Sequence, residues 1–215
     1  MSTIIYLIRH SEPFKVHKGI TNTKESILME NEKTPLSING EKIAEQWANN
    51  IEFSQLDVVY SSNYVRAMST AKYFAYNNEL KVNIDERFNE RIHGVDSWEE
   101  LPSNFEVRQF ENEDYKIGCG ESQKDVQIRM YSALVSLIDE YKEKRIAIIS
   151  HATAITFLLK MFSDVQYAGD YNYKGSKYFN GKWDYLETFK LEFDENNVLL
   201  KITNISKESK NTNQF

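Results

Sequence analysis

Arg9-His10, Arg66, Glu90 and His151 are the residues with which this chain could do chemistry, and each follows an apolar run. Ile4 to Ile8 ends in Arg9-His10. Leu56 to Tyr60 leads through Ser61-Ser62-Asn63 to Arg66. Leu80 to Ile84 precedes the charged segment that holds Glu90, and Ile146 to Ile149 ends in Ser150-His151. Two planar guanidinium forks suit the oxygens of a phosphoryl group, because each can donate paired, charge-assisted hydrogen bonds. A histidine at the start of a helix adds free backbone N–H groups and the favourable end of the helix dipole. The simplest ligand for two arginines and two histidines at one crevice is phosphate. A neutral imidazole can attack phosphorus and carry the phosphoryl group, dividing one hard displacement into two easier ones. A carboxylic acid must then protonate the leaving oxygen and afterwards activate water. Glu90 is the carboxylate placed for that work, ahead of Glu86 and Glu121 in similar acidic segments.

These groups meet only if the strands carrying them run parallel. The run Ile4 to Ile8 is apolar without alternation, as expected of a strand covered on both faces inside a parallel sheet. Ligands of open α/β sheets bind beyond the carboxyl ends of the strands. Helices are expected after Ser37 (with Ile43, Trp47 and Ile51 on one face), from a cap within Ser61-Ser62-Asn63 to about Tyr76, from a Ser122/Asp125 capping box to about Lys144, and from about Thr153 to Phe162. Trp183 to Ile205 reads as a hairpin turning at Asp194-Glu195-Asn196-Asn197, while 93 to 121 reads as mostly irregular. The fold expected is a three-layer α/β/α sandwich with a mostly parallel central sheet. Residues 1–205 form one domain and 206–215 a polar tail.

The chain has 215 residues and a net charge of −6, which argues against a nucleic-acid surface. No signal segment precedes the first strand and no apolar run approaches the length of a membrane span. The single cysteine, Cys119, excludes an internal disulfide and fits a reducing cytoplasm. Cys119 is also no cysteine-phosphatase nucleophile, since Asp125 stands where that chemistry needs an arginine. His17 and His93 read as rim residues, and Lys15 and Lys18 as loop cations that attract an anion. No two histidines have the spacing of a shared metal site. The expected partner is a small phosphorylated substrate, with no membrane and no nucleic acid; the C-terminal strands offer an edge where copies could meet.

Leu7-Ile8-Arg9-His10-Ser11-Glu12 resembles the Arg-His-Gly-Glu signature of the histidine phosphatase superfamily, which includes cofactor-dependent phosphoglycerate mutases. The resemblance continues in family order through Pro35-Leu36-Ser37 with Gly40, Ser61-Ser62 with Arg66-Ala67 and Thr70-Ala71, Glu90-Arg91, Gly120-Glu121-Ser122 and Ser150-His151-Ala152. It implies His10 as nucleophile, Arg9, Arg66 and His151 as phosphoryl ligands, and Glu90 as proton donor. No metal or other cofactor is implied, since the arginines take the role of a cation. The departures are Ser11 and Ala152 in place of glycines, Val16 in place of an asparagine, and a long connection to Pro35. Mutases of the family carry a tyrosine shortly after the acid and a downstream arginine pair. Here His93 stands at the tyrosine-like position, and Glu106-Val107-Arg108-Gln109 offers one arginine. A phosphatase is therefore expected over a mutase, and over a binding module without turnover. Its specificity is expected to reside in 11–35 and 93–121.

Overall fold

The computed structural model describes residues 2–15 and 27–206. In chain order the elements are β1 (Thr3–Arg9), α1 (Ile27–Lys33), α2 (Ile38–Ala48), β2 (Val58–Ser61), α3 (Val65–Asn77), β3 (Val82–Ile84) and α4 (Phe105–Glu111). They continue with α5 (Gln123–Glu140), β4 (Arg145–Ser150), α6 (Ala152–Lys160), β5 (Asp164–Val165), β6 (Tyr171–Tyr173), β7 (Ser176–Phe179), β8 (Thr188–Phe193) and β9 (Leu199–Asn204). Six strands form one sheet in the order β3-β2-β4-β1-β8-β9. β1, β2 and β3 run parallel with β4 through the pairs β1–β4, β2–β4 and β2–β3, and β8 pairs antiparallel with both β1 and β9.

Side chains of β1 and β4 divide alternately between two cores, which is why neither strand shows a polar face in sequence. Ile5, Leu7, Ile146 and Ile148 pack with Val126, Met130 and Leu134 of α5 and Ala154 and Leu158 of α6. Tyr6, Ile8, Ala147 and Ile149 pack on the opposite side with Ala48 of α2 and Ala67, Ala71 and Phe74 of α3. Helices on both faces make the α/β/α sandwich that the patterning calls for.

Several boundaries differ from expectation, each for a local reason. Helix α3 is capped at Tyr64 with no side-chain cap, because the Ser62 hydroxyl accepts the Tyr64 N–H and also bonds His151. Helix α5 has its Ser122/Asp125 capping box but ends at Glu140, before the positive φ of Glu143. A three-stranded sheet, β5-β6-β7, stands apart from the main one and was not expected. Its β6–β7 hairpin turns at Lys174-Gly175, both at positive φ, the conformation of a tight primed turn. Of the expected tail 206–215, Ser206 is buried and accepts the Thr188 N–H at 2.7 Å, while 207–215 lie outside the described residues, as do Val16, His17 and Lys18. Among the described residues, no helix is long and apolar enough to cross a membrane.

Candidate active site

Register explains why distant residues meet. Arg9 lies opposite Ser150 in the parallel β1–β4 pair, and Ser61 opposite Ile149 in β2–β4. The next residues on these strands, His10, His151 and Ser62, therefore emerge together at the carboxyl edge. The His10 N–H donates to the Ser150 carbonyl at 2.9 Å, and the two imidazole centroids lie 5.1 Å apart. Arg66, in the first turn of α3, reaches between them. Its Nε–H donates to His10 Nε2 at 3.0 Å and its Nη2–H to His151 Nδ1 at 3.1 Å, while Nη1 donates to the Asn31 carbonyl of α1.

These partners fix both ring tautomers. His10 Nδ1 lies 2.7 Å from the Ser11 carbonyl, which can only accept, so Nδ1 carries the proton and Nε2 the lone pair. His151 receives Arg66 at Nδ1 and donates from Nε2 to Ser62 Oγ at 2.8 Å. Both rings are almost wholly enclosed, with His10 at 6% and His151 at 0% exposure. Burial, then the Arg66 charge, pushes both pKa values well below 6.5, so both imidazoles are neutral at neutral pH. Below 6.5 the unfolded chain binds protons that the folded rings refuse. The two histidines thus withdraw stability as pH falls from 6.5 towards their folded values, by about 1.4 kcal/mol per pH unit each. Urea titrations between about pH 5 and pH 6.5 should show a shallower loss for His151→Asn, by about one bound proton. An unchanged slope would mean that the folded ring takes up the proton.

Arg9 completes the cationic side. Its guanidinium lies 5.0 Å over the Tyr185 ring, and its buried Nε has no hydrogen-bond partner among the described residues. Burial draws the pKa values of both Arg9 and Arg66 down, but a guanidinium stays charged. Glu90 Oε1 accepts the backbone N–H groups of Arg91 and of Ala154, both at 3.0 Å. The Ala154 bond ties this carboxylate to the first turn of α6, the helix that begins beside His151. Oε2 makes no hydrogen bond among the described residues.

The loop that carries Glu90 is held by a residue that sequence reasoning missed. Arg129 of α5 donates from Nη1 to the carbonyls of Arg87 and Asn89, both at 2.8 Å, and from Nη2 to that of Glu90 at 3.3 Å. Its Nε meets Glu121 Oε1 at 2.7 Å, and Glu121 Oε2 accepts the Ile92 N–H at 2.9 Å. A lone arginine in an amphipathic helix carries no sequence signal for this work. Glu121, an alternative to Glu90 in sequence, serves this loop through Arg129 and the Ile92 N–H.

The substitution of serine at position 11 is accommodated. Ser11 Oγ donates to the Gly40 carbonyl at 2.6 Å, and its N–H donates to Thr70 Oγ1 at 3.0 Å. Gly40 is required there, since a Cβ would stand 2.1 Å from the Glu12 carbonyl oxygen. His93, expected at the rim, is buried instead: its ring packs on Trp98 at 4.9 Å and Phe105 at 5.9 Å. Cys119 is exposed and free of any disulfide. Among the described residues, no group of three or more His, Cys, Asp or Glu side chains is arranged to hold a metal ion.

Residues 5–201 match the family model of the histidine phosphatase superfamily, branch 1. The chain belongs to that superfamily. As a histidine phosphatase superfamily member it is 29% identical over 164 residues to a probable phosphoglycerate mutase of Escherichia fergusonii, covering 72% of each protein. Among solved structures it resembles a mycobacterial glucosyl-3-phosphoglycerate phosphatase, with 16% identity and a TM-score of 0.68 over 95% of this chain and 97% of that one. It also resembles a phosphoserine phosphatase of Entamoeba histolytica, with 19% identity and a TM-score of 0.65 over 94% and 96%. At these identities the structural likenesses establish the shared superfamily fold.

Proposed function

We propose that this chain is a metal-independent phosphomonoesterase that hydrolyses a small phosphorylated metabolite through a phosphohistidine on His10. The observation that carries the reading is the His10 tautomer: Nδ1–H is anchored on the Ser11 carbonyl, so the Nε2 lone pair faces the guanidinium of Arg66. An arriving phosphoryl group takes over the N–H bonds that Arg66 makes to the imidazoles, and Arg9 grips a second oxygen. Nε2 then attacks phosphorus, the ester P–O bond breaks, and the leaving alkoxide takes a proton from Glu90. The Glu90 carboxylate next removes a proton from water, whose oxygen displaces His10 from phosphorus and releases inorganic phosphate. Arg9 and Arg66 stabilise the equatorial oxygens in both steps, and His151 joins them once Arg66 turns to the phosphoryl group, its proton then on Nδ1 with the Ser62 hydroxyl donating to Nε2.

Isomerisation is the second reading, supported by the relative of mutase type. Hydrolysis is favoured because Arg108, the only arginine in Glu106-Val107-Arg108-Gln109, is exposed and stacked over Tyr115 at 4.1 Å. The deciding experiment measures phosphate released from 3-phosphoglycerate and other monoesters, with and without bisphosphoglycerate and in the presence of a chelator. Release that needs neither additive supports the phosphatase; bisphosphoglycerate-dependent interconversion of phosphoglycerates without release replaces it by the mutase. Loss of activity in chelator removes metal independence. Glu90→Gln should slow esters of poor leaving groups by about 10²–10⁴-fold and esters of good ones much less. Equal slowing would assign the proton transfer to another group.

A further inference from the structure

Beside the phosphoryl pocket lies a second cleft that begins at Ala152 and Thr153, the two residues after His151. Its walls are the rings of Phe110, Phe157, Tyr167, Tyr171 and Trp183. Several of these rings are locked in place. The Tyr171 hydroxyl bonds Thr156 at 2.9 Å and receives Trp183 Nε1–H at 3.4 Å, and Trp183 packs edge-on against Phe179 and Phe189. Phe110 is fixed between the Lys160 ammonium, 3.9 Å from its centroid, and Tyr167, at 5.3 Å. Tyr167 is 47% exposed and offers the accessible aromatic face.

The charged groups in this cleft are Arg91 and Glu106. Arg91 is buried and its charge is balanced: it forms an ion pair with Glu106 and donates from Nη1 to Gln109 Oε1 at 2.6 Å, while its buried Nε has no hydrogen-bond partner among the described residues. Glu106 keeps a half-exposed side chain, and its Oε2 makes no hydrogen bond among the described residues. What the cleft presents to a ligand is therefore an acceptor and aromatic faces. A carboxylated ligand would meet the half-exposed Glu106 carboxylate beside a buried cation whose charge that carboxylate already balances.

We infer that this cleft receives the leaving group of the substrate and selects an uncharged, flat-faced ring with hydrogen-bond donors over a carboxylated alcohol. The inference rests on the phosphomonoesterase reading, because only a monoester on His10 would place its alcohol portion here. Aromatic walls stack on flat rings, and a carboxylate accepts from hydroxyl or amino groups. Both a nucleoside and a pyranose ring present that chemistry.

The test compares kcat/KM for four monoesters of primary or secondary alcohols, so that leaving-group acidity varies little: glycerol phosphate, 3-phosphoglycerate, glucose 6-phosphate and cytidine 5′-monophosphate. At least one ring ester should exceed glycerol phosphate by about tenfold or more, and 3-phosphoglycerate should fall below it. Preference for the nucleotide identifies an aromatic ring, and preference for the hexose a sugar. Tyr167→Ala should reduce the ratio of ring ester to glycerol phosphate by about tenfold, and Tyr167→Phe should restore it. Glu106→Gln should raise the ratio of 3-phosphoglycerate to glycerol phosphate severalfold. Hydrolysis of glycerol phosphate with no ring preference, or a preference for 3-phosphoglycerate, overturns the assignment of the cleft and leaves the phosphatase reading standing. A ring preference that Tyr167→Ala does not alter also overturns it. Hydrolysis of none of the four esters overturns the phosphatase reading itself.

Discussion

His10→Asn should abolish turnover, with a loss on the order of 10⁵-fold or more in kcat, because on the proposed route no other group in the pocket can become the phosphorylated species without rebuilding it. The two imidazoles look alike at first. Each is buried and neutral, each donates its N–H away from the pocket, and each aims a lone pair at Arg66. The difference lies in which nitrogen holds the lone pair. His10 offers Nε2, the atom farthest from the side-chain stem, whereas His151 offers Nδ1, crowded by its own Cβ. In-line attack on phosphorus needs an unobstructed lone pair, which His10 has. Rapid acid-avoiding quench of the wild-type protein during turnover should therefore trap an acid-labile, base-stable phosphoryl adduct on the peptide that contains His10. His151→Asn should slow formation of that adduct without moving it. An adduct on His151, or a His10→Asn rate above about 1% of wild type, would exchange or remove the assigned nucleophile.

The parts of this site that could be read from sequence are those fixed by strand ends. Ile4 to Ile8 and Ile146 to Ile149 are apolar because α2 and α3 cover one side and α5 and α6 the other. A continuous apolar run ending in His10 or His151 thus announces both a parallel strand and a residue at its carboxyl edge. Groups whose place depends on a turn of the chain gave no such notice. Arg129 acts by gathering the carbonyls of Arg87, Asn89 and Glu90, a bond set invisible until that loop is folded. The burial of His93 depends on Trp98 and Phe105, which arrive from a segment without periodicity. The side-chain cap expected within Ser61-Ser62-Asn63 is missing because the helix starts later, at Tyr64, and the Ser62 hydroxyl is engaged by His151 and by the Tyr64 N–H. The β6–β7 hairpin does have a sequence signal: Tyr171 to Phe179 is rich in tyrosine around Lys174-Gly175, a turn pair.

Arg66→Lys should cost about 10³-fold in kcat/KM, and Arg66→Ala up to about 10⁵-fold, the range in which a guanidinium contributes to phosphoryl transfer. The lysine variant is the informative one because it keeps the charge. Arg66 donates in three directions at once, to His10 Nε2, His151 Nδ1 and the Asn31 carbonyl, from three nitrogens held in one plane. A single ammonium on a flexible stem can follow one of these directions at a time, so a large loss in Arg66→Lys shows that the planar fork, and not positive charge alone, organises the pocket. The alanine variant tests the electrostatic half. The Arg66 charge is a cause, after burial, of the lowered pKa of both imidazoles. Its removal should move both ring titrations upward, though burial still holds them below 6.5. Ring-proton NMR of the two histidines between about pH 4 and pH 7 reads that shift directly. The acid limb of the residual kcat/KM should move up with it, since a protonated His10 has no lone pair to offer. Titrations that stay where they were in the wild type would mean that Arg66 does not face the imidazoles in solution, and the phosphoryl pocket built around it would fall.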